Sequence, residues 1–332
     1  MIVIDGIIFS LQQAGGISVL FNELLCRMPA ASYRLMRYDK KGIDGARLRF
    51  GERYRTVDAG DYSVFHSSYY RLPSARSGAV VTTVHDYTYE RFLSPSIKQT
   101  VHSYQKNKAV QASDIIICVS ESTREDLLEY SSVNPDRVVV IHNGVSEIFC
   151  RDDDVALAQQ VIFVGARGGY KNFESVVTAL SRVAVVELVC VGGGKFSNVE
   201  SAFLEKYLPN RYRHAGYIST QQLNIEYNKS ICLVYPSLYE GFGIPVLEAM
   251  RSGCPVVAMN CSSIPEVAGD AAYLMERGSP DEIEAAVRFF MDIGNRTYFV
   301  RRGLQRSSMF GWDRTFLKTV AVYEQLIGRK II

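Results

Sequence analysis

The feature that most narrows the fold is an alternation. Short apolar runs rich in Val and Ile recur along the chain, each separated from the next by a stretch with helical spacing. Runs at 2–4, 64–66, 79–84, 115–119 and 138–141 precede a break, and runs at 161–164, 186–191, 231–235 and 255–259 follow it. Helical periodicity marks 16–28, 96–112, 121–130, 172–182, 199–207, 220–228, 245–252, 280–293 and 313–326. A strand that is apolar throughout needs cover on both faces. Parallel sheets wrapped by helices supply it, so the pattern predicts an α/β, doubly wound architecture. The alternation pauses at 146–160, where Arg151-Asp-Asp-Asp154 is polar. A domain join is expected there, giving domains at 1–150 and 151–312 and a terminal amphipathic helix within 313–332. At 332 residues, two domains of ordinary size fit better than one. In open sheets of this kind ligands sit at the carboxyl ends of strands, so the loops there are where chemistry is to be sought.

Composition removes several classes. Hydrophobic residues at 47% and charged residues at 22% suit a soluble globular protein. A net charge of +2 gives no signal for nucleic acid. No apolar run nears the roughly 18 residues of a membrane helix. Met1-Ile-Val-Ile-Asp-Gly reads as a first strand and not as a signal peptide. The seven cysteines form no CxxC pair, and Cys118, Cys190 and Cys232 lie in strand-like runs. Buried free thiols in a reducing cytoplasm are expected.

The run at 231–235 ends at Pro236, and Glu240-Gly-Phe-Gly leads to Pro245. Proline suits the first turn of a helix, so a helix should open there; Gly253 then ends it. Gly241, Phe242, Gly243, Ile244, Pro245 and Leu247 thus flank a helix N-terminus, where free N–H groups and the helix dipole favour a phosphate. Glu240 and Glu248 bracket that anion site. A diphosphate with hydroxyl-bearing rings at both ends matches the set, because carboxylates are strong acceptors for sugar hydroxyls. The bland alternative is that both acids merely favour a helix start.

The string Tyr235-Pro-Ser-Leu-Tyr-Glu-Gly-Phe-Gly-Ile-Pro-Val-Leu-Glu-Ala-Met-Arg-Ser-Gly-Cys-Pro-Val-Val257 resembles the signature of glycosyltransferase family 4, whose two glutamates are spaced as Glu240 and Glu248 are. Ser262-Ser-Ile-Pro-Glu-Val-Ala-Gly-Asp-Ala-Ala272 resembles the same family, particularly its bacterial members. The resemblance implies a GT-B arrangement: two Rossmann-like domains facing across a cleft, with a C-terminal helix crossing back to the first. It also implies retention of anomeric configuration with no cofactor and no metal. The donor would be a nucleotide-diphosphate sugar, GDP-mannose or a UDP-hexose. The acceptor would be a saccharide or lipid-diphosphate-linked saccharide of a bacterial surface polysaccharide such as an O-antigen.

Other loops fit that expectation. Gly165-Ala-Arg-Gly-Gly-Tyr-Lys-Asn172 places Arg167 and Lys171 after a strand, where a leaving diphosphate needs fixed cations. Family members carry an arginine and a lysine in this loop, and Lys171 is the firmer match. Ala14-Gly15-Gly16-Ile17 would approach the diphosphate through its backbone. In the family, loops such as Gly192-Gly193-Gly194 and Gly216-Tyr217 wrap the nucleotide, and a histidine equivalent to His85 lies near the reaction centre. His85 read alone is as well a structural histidine, and His66 is a weaker candidate. Arg151-Asp-Asp-Asp154 suggests the Asp-x-Asp of metal-dependent transferases but lies in the polar join, so it reads as solvated linker. Nine Lys or Arg against three acids between Arg27 and Arg55 read as a solvated face or as peripheral contact with the inner membrane surface. A nucleotide-sugar epimerase, a phosphorylase and a non-catalytic donor-binding subunit remain as alternatives.

Overall fold

The computed structural model describes residues 1–12, 15–39, 46–92 and 96–331. The chain divides into two compact units, Met1–Gly144 with Trp312–Ile332, and Val145–Gly311. In the first unit six strands form one sheet in the order Tyr33–Met36, Ile2–Asp5, Val64–Ser67, Ala79–Val84, Ile115–Cys118, Val138–Val140. Every pairing is parallel. The four central strands are almost wholly buried, which is why their sequences are apolar on both faces. Tyr33–Met36 did not stand out in the sequence because it is a half-exposed edge strand carrying Arg34.

The helix Trp312–Ile327 belongs to this unit and packs on the helix Gly16–Arg27. Tyr323 Oη lies 2.6 Å from His66 Nδ1, and Thr315 donates to the His142 carbonyl at 2.7 Å. His66 is fully buried, and its other ring nitrogen meets Thr83 Oγ1 at 2.8 Å. Burial pushes its imidazole down to about 3. His66 is thus a satisfied structural residue.

The second unit repeats the plan. Its sheet runs Tyr212–Gly216, Glu187–Val191, Gln160–Val164, Cys232–Tyr235, Val256–Met259, Tyr273–Met275, again all parallel. The order reverses between Gln160–Val164 and Cys232–Tyr235, which are neighbours in the sheet although some seventy residues separate them in the chain. Such a reversal leaves a crevice outside the carboxyl ends of the two strands. Proline at the first turn opens three of this unit's helices, Ile244–Arg251, Ile264–Ala268 and Pro280–Met291. Pro280–Met291 gains a reciprocal cap in which Ser279 and Glu282 satisfy each other's backbone N–H. A further helix, Ile293–Ser307, lies where the sequence pattern gave none. Its fully buried residues are Val300, Gly303 and Ser307, and two of these are not apolar, so they left no hydrophobic stripe to read. A Cβ on Gly303 would stand 3.2 Å from Met250 Cγ, so glycine there lets this helix approach Ile244–Arg251 closely.

Among the described residues no helix is long and apolar enough to cross a membrane. All seven cysteines are free, and Cys118, Cys190, Cys232 and Cys254 are buried.

Candidate functional site

The two strands that flank the reversal in the second unit deliver the charged residues of the site. After Gln160–Val164 the chain turns at Gly165, whose φ is +113°, and continues to the short 3-10 turn Gly169–Lys171. After Cys232–Tyr235 it passes through Pro236–Gly243 into the helix Ile244–Arg251. Leu238 N–H donates to the Tyr170 carbonyl at 2.8 Å, tying the loops together. Lys171 and Glu240 then form an ion pair, both nearly buried. Burial opposes the charge on Lys171, but the Glu240 carboxylate, helped by Tyr170, outweighs it and raises the ammonium above its ordinary range.

Glu240 is held from both sides of its peptide. Its N–H donates to Ser262 Oγ at 3.0 Å, and its carbonyl accepts from Ser263 Oγ at 2.9 Å. Ser262 is among the few non-glycine residues with positive φ, at 48°. That strain is sustained where surrounding bonds fix it. The helix itself starts at Gly243, where φ is +91° and a Cβ would meet Ile264 Cδ1 at 2.7 Å, so only glycine fits. One turn inside, Glu248 accepts from Tyr227 Oη at 3.1 Å. Burial pushes the Glu248 carboxyl up to about 7, against the opposing pull of the Tyr227 bond. Ile244 and Pro245 stay half-buried at the helix mouth. Phe242 and Leu247 are 4% and 0% exposed, so their side chains belong to the core and only their backbone can face a ligand.

Arg167, in the same loop, makes a separate set of bonds. Its Nε donates to Glu200 at 2.7 Å, and its remaining nitrogens donate to the carbonyls of Gly192 at 3.1 Å, Gly193 at 3.4 Å, Gly194 at 2.9 Å and Lys195 at 3.2 Å. The guanidinium also lies 4.7 Å from the centre of the Phe196 ring. In this structure its donors go to Glu200 and the triple-glycine loop, so here Arg167 orders that loop. Gly192, Gly193 and Gly194 have φ of 73°, 71° and 76°, and a Cβ on Gly193 would stand 2.4 Å from the Gly165 carbonyl. With the loop carbonyls turned toward Arg167, the Gly193 and Gly194 N–H groups make no hydrogen bond among the described residues. Glu200 serves twice, because it also accepts from Ser197 N–H at 2.8 Å in the cap of the next helix. Replacing Arg167 with lysine is expected to loosen this loop, since an ammonium cannot reproduce the planar fork. We predict a donor KM raised about tenfold, roughly the effect of 1.4 kcal/mol, with kcat changed far less. Steady-state kinetics check it; a kcat loss matching that of a Lys171 variant would return Arg167 to the reacting centre.

The other candidates stand on other loops. Tyr217 is 77% exposed beyond Tyr212–Gly216. In the first unit Gly16 opens the helix Gly16–Arg27, and Gly15 is extended, with a Cβ position 2.5 Å from Gln12 Oε1. Ala14 lies outside the described residues. His85 follows Ala79–Val84, is 9% exposed, and its Nε2 has no partner. Burial pushes its imidazole down to about 4, although Asp86 pulls upward, so it is neutral at pH 7. Of the basic run, Arg27 pairs with Glu23 and Asp313, Arg49 with Glu52, and Arg53 lies over the Tyr54 and Tyr69 rings. Lys40 and Lys41 lie outside the described residues. Arg151 pairs with Asp153 at 2.7 Å, and no group of three His, Cys, Asp or Glu among the described residues gathers to hold a metal.

A group the sequence reading missed sits at the first unit's own reversal, between Ile2–Asp5 and Val64–Ser67. Arg71, 1% exposed, pairs with Asp5 at 3.1 Å and Glu52 at 2.9 Å. Burial pushes the Asp5 carboxyl up despite the guanidinium beside it.

Two family models match the chain: Glycosyltransferase Family 4 over residues 17–147 and Glycosyl transferases group 1 over residues 157–304. The chain belongs to the glycosyltransferases. It is 27% identical to the O-antigen chain mannosyltransferase B of Escherichia coli, over 81% of this chain and 76% of that protein. It is 28% identical to an MMP alpha-(1->4)-mannosyltransferase of Mycolicibacterium hassiacum, over 68% of this chain and 57% of that one. The sucrose-phosphate synthase of Thermosynechococcus elongatus matches its fold with a TM-score of 0.82 at 19% identity, over 98% of this chain and 99% of that one. HepE of Anabaena, solved with UDP and glucose, matches with a TM-score of 0.70 at 15% identity, over 98% and 99%. The two Rossmann-like halves are those of a GT-B glycosyltransferase.

Proposed function

We propose that this glycosyltransferase moves a hexose, mannose first among the candidates, from a GDP- or UDP-linked donor to a hydroxyl of a saccharide or lipid-linked saccharide. We further propose that transfer retains configuration, needs no metal, and serves bacterial surface polysaccharide synthesis in the cytoplasm or at the inner membrane face. The observation that carries the reading is the Lys171–Glu240 pair beside a helix N-terminus at a sheet reversal. The mannosyltransferase names of the relatives support the sugar.

In this reading the diphosphate lies over the Gly243–Ile244 amides, where the dipole and unfilled N–H groups favour negative charge. Lys171 balances the charge that grows on the leaving oxygen. Glu240 accepts a hydroxyl bond from the hexose, and Glu248 accepts bonds from the ribose. The acceptor hydroxyl attacks the anomeric carbon from the face the diphosphate leaves. Its C–O bond forms as the sugar–phosphate bond breaks, and its proton passes to the departing phosphate oxygen. The unpartnered Nε2 of neutral His85 is free to bond a hydroxyl of the acceptor.

The test is a thermal-shift panel of nucleoside diphosphates and their sugars, each with and without EDTA, followed by NMR of the anomeric product. The true donor should raise the midpoint by mass action, undiminished by EDTA, and the product should keep the donor's configuration. Inversion, or activity abolished by EDTA and restored by a divalent ion, would overturn the mechanism.

A further inference from the structure

The first unit holds a cavity of about 460 Å³ that the donor site does not use. Its walls come from the segment after Ala79–Val84, from the helix Ile97–Ala112 and from the end of the helix Glu121–Tyr130, where Tyr130 stacks on Tyr87 at 5.3 Å. Lys106, 2% exposed, is fixed there by three partners. It pairs with Glu90 at 2.9 Å, donates to the Asp86 carbonyl at 2.9 Å, and lies 3.9 Å from the centre of the Tyr87 ring. Two residues earlier on the same helix, Tyr104 lines the same cavity and is 69% exposed, an unusual position for a large ring. Asn107 adds an amide to the lining, and Gln99 adds a shielded Oε1 without a partner.

We propose that this cavity binds a non-reacting hexose unit of the acceptor saccharide. Its size is that of a small-molecule site. A pyranose has apolar faces and a rim of hydroxyls, so it wants a ring surface and several hydrogen-bonding groups, and Tyr104, Glu90, Asn107 and Gln99 provide both. Charge selects the class. Among the described residues Lys106 is the one cation in the lining, and Glu90, the Asp86 carbonyl and the Tyr87 ring together occupy its ammonium, so a phosphorylated ligand would find no donor of opposite charge left for it. A neutral polyhydroxylated ligand pays no such penalty. One bond links the cavity to a candidate residue of the site: Lys106 donates to the Asp86 carbonyl, next in sequence to His85. A sugar seated here bears on the loop that carries His85.

The inference rests on the hexosyl-transfer reading but is tested apart from it. Saturation-transfer NMR would present the full chain with neutral methyl glycosides of manno-, gluco- and galacto-configured disaccharides, without donor. At least one should bind the wild type, bind Tyr104→Phe similarly, and lose binding in Tyr104→Ala and Asn107→Ala. In turnover, both alanine variants should raise the acceptor KM tenfold or more while the donor KM holds within twofold. No binding by any of the glycosides, or unaltered binding in both variants, overturns the proposal. Ile97 and Val101, 87% and 42% exposed, lie on the same helix. If Tyr104→Ala instead abolishes sedimentation with anionic phospholipid vesicles and leaves glycoside binding intact, the face meets lipid and the proposal fails. Failure of the transferase reading would look different: no nucleoside diphosphate would stabilise the wild type.

Discussion

Replacing Lys171 with alanine is expected to lower kcat by a factor on the order of 10² to 10³, the scale for removing one preorganised group that meets developing charge. Three features set the size. Lys171 is nearly buried, so its charge acts at a lower effective dielectric than a surface lysine's. Its ammonium is held in the charged state by Glu240, so none of its electrostatic effect is lost to deprotonation near pH 7. Its position is fixed, because Leu238 and Tyr170 tie together the two loops that carry the pair. The charge on the leaving diphosphate grows as the glycosidic bond breaks, so the loss should fall mainly on kcat, with donor affinity weakened about tenfold or less. Lys171→Arg should recover only part of the rate, because a wide planar fork replaces a point charge. Single-turnover rates together with calorimetric donor affinities would check it. A kcat kept within threefold in Lys171→Ala would remove the residue from the reacting centre.

How much of this was legible in the sequence follows the range of each interaction. The loop–helix unit around Glu240 was legible because its signals are local: a strand end, a glycine, a first-turn proline and a closing glycine lie within a few residues. Lys171 was legible as a strand-end cation for the same reason. That the two meet was not, since it depends on Gln160–Val164 pairing with Cys232–Tyr235, a register set by the whole sheet. Arg167 shows the same limit more sharply. Its place in the loop is readable, but the four carbonyls that take its donors belong to Gly192–Lys195, beyond an intervening helix and strand. Phe242 and Leu247 matched by motif, yet the motif does not separate a side chain that touches ligand from one that fills the core. The Asp5–Arg71–Glu52 cluster gave no signal, because three charges spread along a chain look like three surface residues until the fold buries them. The helix Ile293–Ser307 was hidden by four arginines and two glycines, with a packing face built partly of Gly303 and Ser307.

Replacing Glu248 with alanine is expected to weaken donor affinity on the order of 10²-fold, as two charge-assisted hydrogen bonds to the ribose are lost at about 1.5 kcal/mol each. The pH dependence makes this more than a deletion experiment. The carboxyl is pushed from its ordinary 4.5 to about 7, so in the free protein it carries a proton through most of the range below pH 7. The acceptor form is the ionised one, and binding at pH 6 must therefore expel a proton. Donor affinity should be flat above pH 7 and fall toward a tenfold loss per unit below it. Calorimetry at pH 6 in buffers of different ionisation enthalpy should register proton release, and the same experiment at pH 8 should not. Stability moves the other way. Between about 4.5 and 7 the unfolded chain ionises this group while the folded chain keeps it protonated, so folding loses stability as pH rises, by about 3 kcal/mol in full above pH 7. Glu248→Gln should abolish both trends, raising stability above pH 7 and leaving donor affinity weak and independent of pH. An alanine variant with the donor affinity of the wild type would detach Glu248 from the nucleotide, whatever its neighbours do.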